Sequence, residues 1–96
     1  MRERSALKTS HDLERASDLA RLVPLWPAEI ADTSVAGRAR LVATLERALK
    51  AERRRGRAGH WTYDLARHAA LLRAWRRELA SLDHARAMQK QMGAGR

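Results

Sequence analysis

Ninety-six residues suffice for one domain with a modest core, and the absence of cysteine removes disulfide frameworks, thiolate catalysis and Cys-ligated zinc together. The longest unbroken apolar run, residues 69–72, falls far short of the roughly 20 residues a membrane span needs. The charged opening "MRERSALKTSHD" lacks the apolar centre of a secretion signal, so the expectation is a cytoplasmic protein with no membrane partner.

The net charge is +9, and its placement says more than its total. Residues 1–33 carry five basic groups against six acids, whereas residues 34–96 carry fifteen against five. Such a field attracts a polyanion or an acidic protein to the second part of the chain. Seventeen of the twenty basic residues are arginine and nineteen positions are alanine. A GC-rich genome would account for arginine in place of lysine, but not for the excess of bases over acids.

In chain order, the first periodic segment is "SHDLERASDLARLV". Leu13, Ala16, Leu19 or Ala20, and Leu22 or Val23 recur at the spacing of one helix face, with Thr9 or Ser10 as cap and Asp12 and Glu14 at the positive end of the dipole. Pro24 ends it. In the knot "PLWP" Trp26 must be extended because it precedes a proline, and Pro27 suits the first position of a short helical turn to Ile30 or Ala31.

The second main helix is "DTSVAGRARLVATLERALKAERRRG". One of Asp32, Thr33 and Ser34 caps it, Val35, Val42, Leu45 and Leu49 form its apolar face with Leu41 and Ala48 at the edge, and Gly56 is its expected C-cap. Gly37 in the first turn costs about 1 kcal/mol relative to alanine, which implies a compensating close approach by another helix or by a ligand phosphate.

The last segment, "TYDLARHAALLRAWRRELASLDHARAMQKQ", carries a seam at Leu65, His68, Leu72, Trp75, Leu79 and Leu82 in alternating steps of three and four. Thr62 is its expected cap, Trp61 a staple against Ala66, and His68 a partly buried imidazole bonded to Asp64. The six residues 56–61 leave the last two helices as an antiparallel hairpin. With no phenylalanine, one isoleucine and three valines, no strand competes, and Trp26 and Trp75 are the bulky groups expected to fill the interior. The predicted fold is all-α: a small bundle of three main helices, the last two a hairpin, with a Pro-Trp turn between the first and second. Residues 1–96 form a single domain with tails 1–9 and 92–96 frayed.

Catalytic and cofactor constellations are missing. No nucleophile elbow, Gly-rich phosphate loop or carboxylate pair is present, and His60, Asp64 and His68 match no zinc spacing. No cofactor and no enzymatic activity are expected.

A basic surface is present instead. At 100° per residue Arg40, Arg47 and Arg54 fall within about 40° of one another, Lys50 is nearby, and Ala36, Ala43 and Ala51 separate them, with Glu46 and Glu52 to the flanks. From 38 to 57 there are eight basic residues against two acids. Arginines at the last turn of a helix are favoured by its dipole, yet Arg53, Arg54, Arg55 and Arg57 exceed that need. Trp61 and Tyr63 beside them offer faces for unpaired bases. The expected site is therefore Arg40, Arg47, Lys50, Arg53, Arg54, Arg55, Arg57, Trp61 and Tyr63 against a DNA or RNA backbone. The alternative is a protein-interaction adaptor or regulator, binding an acidic partner or a second copy of itself through Leu71, Leu82, Met88 and Met92 on the last helix.

Overall fold

The computed structural model describes residues 9–94. Among those residues the secondary structure is helical with no strand: α1 (Ser10–Leu22), α2 (Pro27–Ala31), α3 (Val35–Arg57) and α4 (Leu65–Ala94). The two longest helices, α3 and α4, pack against each other, α1 lies on α4, and α2 touches both α1 and α3. One apolar cluster joins them all through Leu19, Val23, Ile30, Leu41, Leu45, Leu49, Leu71 and Ala74.

Local chemistry explains each boundary. Thr9 and Asp12 form a reciprocal cap on α1, the Asp12 amide donating to Thr9 Oγ1 at 3.0 Å and the Thr9 amide to Asp12 Oδ2 at 3.4 Å. The chain leaves α1 at an extended Val23, and Pro27 opens α2 behind an extended Trp26. In this extended link side chains alternate, so Leu25 packs on the core while Trp26 points outward and is 76% exposed. The sequence expectation of a core Trp26 is thereby corrected.

Ser34 caps α3, its Oγ accepting the Gly37 amide at 3.0 Å. The close approach at Gly37 comes from the Asp32 carboxylate, which occupies the space a Cβ would need. Neither another helix nor a ligand phosphate is required there. At the other end Gly56 is helical and is not the cap. The His60 amide donates to the Arg55 carbonyl at 2.9 Å and the Gly59 amide to the Gly56 carbonyl at 3.1 Å, a Schellman ending in which Gly59 takes φ +65°. Gly59→Ala should therefore cost about 1–2 kcal/mol, read as a lower urea midpoint with an unchanged slope. An unchanged midpoint would mean that the turn relaxes freely.

The start of α4 also differs from expectation. Asp64, not Thr62, is the cap, accepting the Arg67 amide on Oδ1 at 3.1 Å, and Trp61 is 88% exposed with no staple on Ala66. The buried stripe of α4 is Leu71, Ala74, Glu78 and Leu82: Leu82 lies where the seam placed it, and the other three are each one residue before the predicted Leu72, Trp75 and Leu79. Leu65 is exposed, and Leu72, Trp75 and Leu79 lie at the stripe's edge. Small Ala74 is buried in the core cluster, while the partly buried Trp75 donates its indole N–H to Glu46 Oε2 at 3.2 Å. The helix runs on through Met92 to Ala94, where fraying was expected; residues 1–8 and 95–96 of the predicted tails lie outside the described residues.

Two buried carboxylates hold the helices together. Glu78 on α4 accepts a two-pronged bond from Arg15 of α1, Nε and NH2 each at 2.8 Å, and a third from Arg77 Nε at 3.0 Å. Arg15 NH1 also donates to the Ile30 carbonyl at 3.2 Å, so one guanidinium ties α1, α2 and α4 together. Glu52 on α3 accepts Arg55 NH1 at 3.0 Å and the Asp64 amide at 3.2 Å, with Arg67 Nε at 3.4 Å. The rungs from Glu52 to Asp64 and from Glu46 to Trp75 rise along α4 as they descend along α3.

Candidate nucleic-acid interface

The buried residues of α3, Gly37, Leu41, Val42, Leu45, Leu49 and Glu52, all lie on one side of the helix, so positions 40, 47 and 54 project from the other. Arg47, Lys50, Arg53, Arg54 and Arg57 are exposed. From Arg40 to Arg57 the stripe extends ~26 Å at 1.5 Å per residue. Glu46 lies at its flank bonded to Trp75, whereas Glu52, expected at the other flank, is buried.

The seven cations are not equally free. Arg40 NH2 donates to Asp32 Oδ2 at 3.2 Å, leaving 70% of its side chain exposed. Asp32 in turn accepts the Ser34 hydroxyl at 2.6 Å and the Ser34 amide at 3.0 Å. These bonds, with the Arg40 charge added, hold its carboxyl below the ordinary aspartate range. Arg47 NH2 donates to Thr44 Oγ1 at 3.2 Å, which steadies it along the helix. Arg55 is turned inward onto the buried Glu52 carboxylate and, with 43% of its side chain exposed, is less available than Arg40. Described ion pairs engage Arg40 and Arg55, and none engages Arg47, Lys50, Arg53, Arg54 or Arg57.

Beyond the end of α3 the two aromatic candidates separate in character. Trp61 stands in solvent with its ring stacked on His60, centroids 5.9 Å apart and planes 23° from parallel. Tyr63 is half-buried against Gly56, where a Cβ would come within 2.9 Å of Cε1. Its Oη lies 2.9 Å from His68 Nδ1, so the partner of His68 is Tyr63 and not Asp64. Tyr63 reaches the surface in a depression of about 340 Å³ shared with Arg53, Arg57 and His68.

The residues proposed for protein contact divide similarly. Leu71 and Leu82 are buried within the chain, at 0% and 3% exposure, and belong to the interior and not to a docking face. Met88 and Met92 are exposed on the last turns of α4. With 30 residues against 23, α4 outruns α3 by ~10 Å.

Among the described residues no group of three or more His, Asp or Glu could hold a metal ion, and no helix is long and apolar enough to cross a membrane. A scan against protein-family models and searches of curated proteins and of solved structures return no match.

Proposed function

We propose that this chain is a small, non-enzymatic helical protein that binds nucleic-acid phosphates through the outward face of α3 and the turn that follows it. The observation that carries the reading is the alignment of Arg40, Arg47, Lys50, Arg54 and Arg57 on the side of α3 opposite its buried residues, with only Arg40 held in a described ion pair. A solvated helix face ordinarily mixes signs, because like charges one turn apart repel. Here the flanking acids are drawn away, Glu46 to Trp75 and Glu52 into the interior.

The antiparallel hairpin of α3 and α4 gives the stripe a stiff backing. Its connection, fixed by Glu52 and the Schellman turn, sets Arg57 and Trp61 at one end. Contacts of this type position a polyanion without reading its sequence. Titration of a labelled oligonucleotide against salt tests the proposal: affinity should fall as salt rises, because the counterions that binding releases from the strand gain less entropy in a saltier solution. Absence of binding at low salt to any single strand or duplex would refute it.

The second reading, an interaction adaptor, retains Met88 and Met92 on the overhang of α4. It has lost Leu71 and Leu82 to the interior, which leaves two methionines and little contiguous apolar area for a partner. The arginine face is the stronger feature.

A further inference from the structure

We infer that the polyanion is a single strand, with unpaired bases stacked on Trp26 and Trp61 at the two ends of the arginine stripe. This rests on the nucleic-acid reading above and adds the substrate class and a residue outside the expected site, Trp26. The chain has three tryptophans and no phenylalanine, yet only Trp75 reaches the interior. Trp26 and Trp61 are 76% and 88% exposed, while leucine and alanine fill the core.

The two tryptophans bracket the stripe along the chain. Leu25, Ala28, Glu29 and Asp32 share one depression with Gly37, Arg40 and Thr44, so the segment carrying Trp26 lies beside the first turns of α3, where the stripe begins. Trp61 comes four residues after Arg57, where it ends. Both rings have supported backbones. The Trp26 amide donates to Glu29 Oε1 at 2.7 Å and its carbonyl accepts the Glu29 and Ile30 amides, while Trp61 rests on His60.

Charge and shape then select the ligand. A duplex keeps its base faces stacked inside and offers an exposed indole little to cover. A single strand can lay its phosphates on the cations and turn bases onto the rings, which is how strand binders without sequence preference work. The two carboxylates lining that depression are already engaged, Glu29 by the Trp26 amide and Asp32 by Arg40 and Ser34.

The test uses the full chain with a fluorescein-labelled dT oligomer of about 12 nucleotides, inside the roughly 4–16 nucleotides such grooves hold, and a duplex of equal length. Binding is measured by polarisation at low salt for the parent, Trp26→Ala, Trp61→Ala and Trp61→Phe. The parent should bind dT more tightly than the duplex, and its indole emission should fall on binding. Each alanine variant should weaken dT binding by roughly 5- to 150-fold, the worth of one stacked base, with Trp61→Phe recovering most of the loss and duplex binding unmoved. Because both rings are solvent-exposed, circular dichroism of the variants should match the parent; quenching of the parent's emission supplies a readout that needs no variant. Equal dT affinity in parent and alanine variants, unchanged indole emission, or a preference for the duplex would each overturn the inference while leaving phosphate binding intact. No binding to either probe would overturn both.

Discussion

Replacing Arg47, Lys50, Arg54 and Arg57 together by glutamine should lower affinity for a single-stranded oligonucleotide by roughly 100-fold at low salt, taking each cation at the upper part of the ~0.2–1 kcal/mol range of a surface ion pair. All four side chains are exposed, and no described ion pair binds them to the rest of the fold. The variant should therefore keep the parent's circular dichroism and urea midpoint. The matching control removes the same charge from the other long helix, at Arg73, Arg76, Arg86 and Lys90, which are also exposed. If net charge alone drove association, both variants would lose affinity equally. A local interface predicts a clearly larger loss for the α3 variant, measured by polarisation side by side.

The largest stability effect is expected at Glu78. Glu78→Ala leaves the Arg15 guanidinium without its two carboxylate bonds and strips Arg77 Nε of its acceptor. Removing one partner of a buried pair costs about 3–5 kcal/mol, against a total stability of about 5–15 kcal/mol for a domain. Urea unfolding should show a markedly lower midpoint with an unchanged slope. The paired change Arg15→Met with Glu78→Leu should recover much of the loss, since an apolar pair of similar volume needs no charge compensation.

Acid should act through the same group. Burial alone would push the Glu78 carboxyl up, but the hydrogen bonds and charge of Arg15, joined by Arg77, hold it below the ordinary glutamate value of 4.5. A depressed folded value means that the stabilisation is fully present above the unfolded value. It is lost as pH falls through the folded one. The stability gap between parent and Glu78→Gln should therefore be constant near neutrality and narrow below pH 4.5. A Glu78→Ala protein as stable as the parent would mean that the buried carboxylate does not hold α1 and α4 together.

Residues with local causes were legible in the sequence. Neighbours within a few positions narrowed the caps to Thr9 or Ser10 and to Asp32, Thr33 or Ser34, and placed Pro27 at the start of α2 and Val42, Leu45 and Leu49 on the buried face of α3; Leu41, expected at the edge of that face, is buried and Val35, expected on it, is only partly so. The register of α4 was not, because Leu71 and Leu72 are adjacent leucines that fit either of two overlapping stripes. What decides between them is Glu78, whose partner Arg15 lies 63 residues away. A glutamate at a core position looks like a surface residue until that partner is found. Trp26 misled for a related reason: its size argues for burial, while the alternation of an extended link between two prolines turns it outward. Gly56 was the expected cap, and it is the positive φ of Gly59 that puts the ending three residues later. The arginine stripe itself needed nothing beyond helical periodicity, so Arg40, Arg47 and Arg54 appear where the wheel placed them. The inward turn of Arg55 depends on Glu52 being buried and was invisible to that wheel.

The most direct measurement of whether α3 presents a phosphate-binding face is the affinity of the parent protein for a single-stranded oligonucleotide across a salt series. Five stripe cations contacting phosphates predict a log–log slope of about −3 to −4, at ~0.7 per neutralised phosphate. A slope near zero, or no binding at the lowest salt, would contradict it.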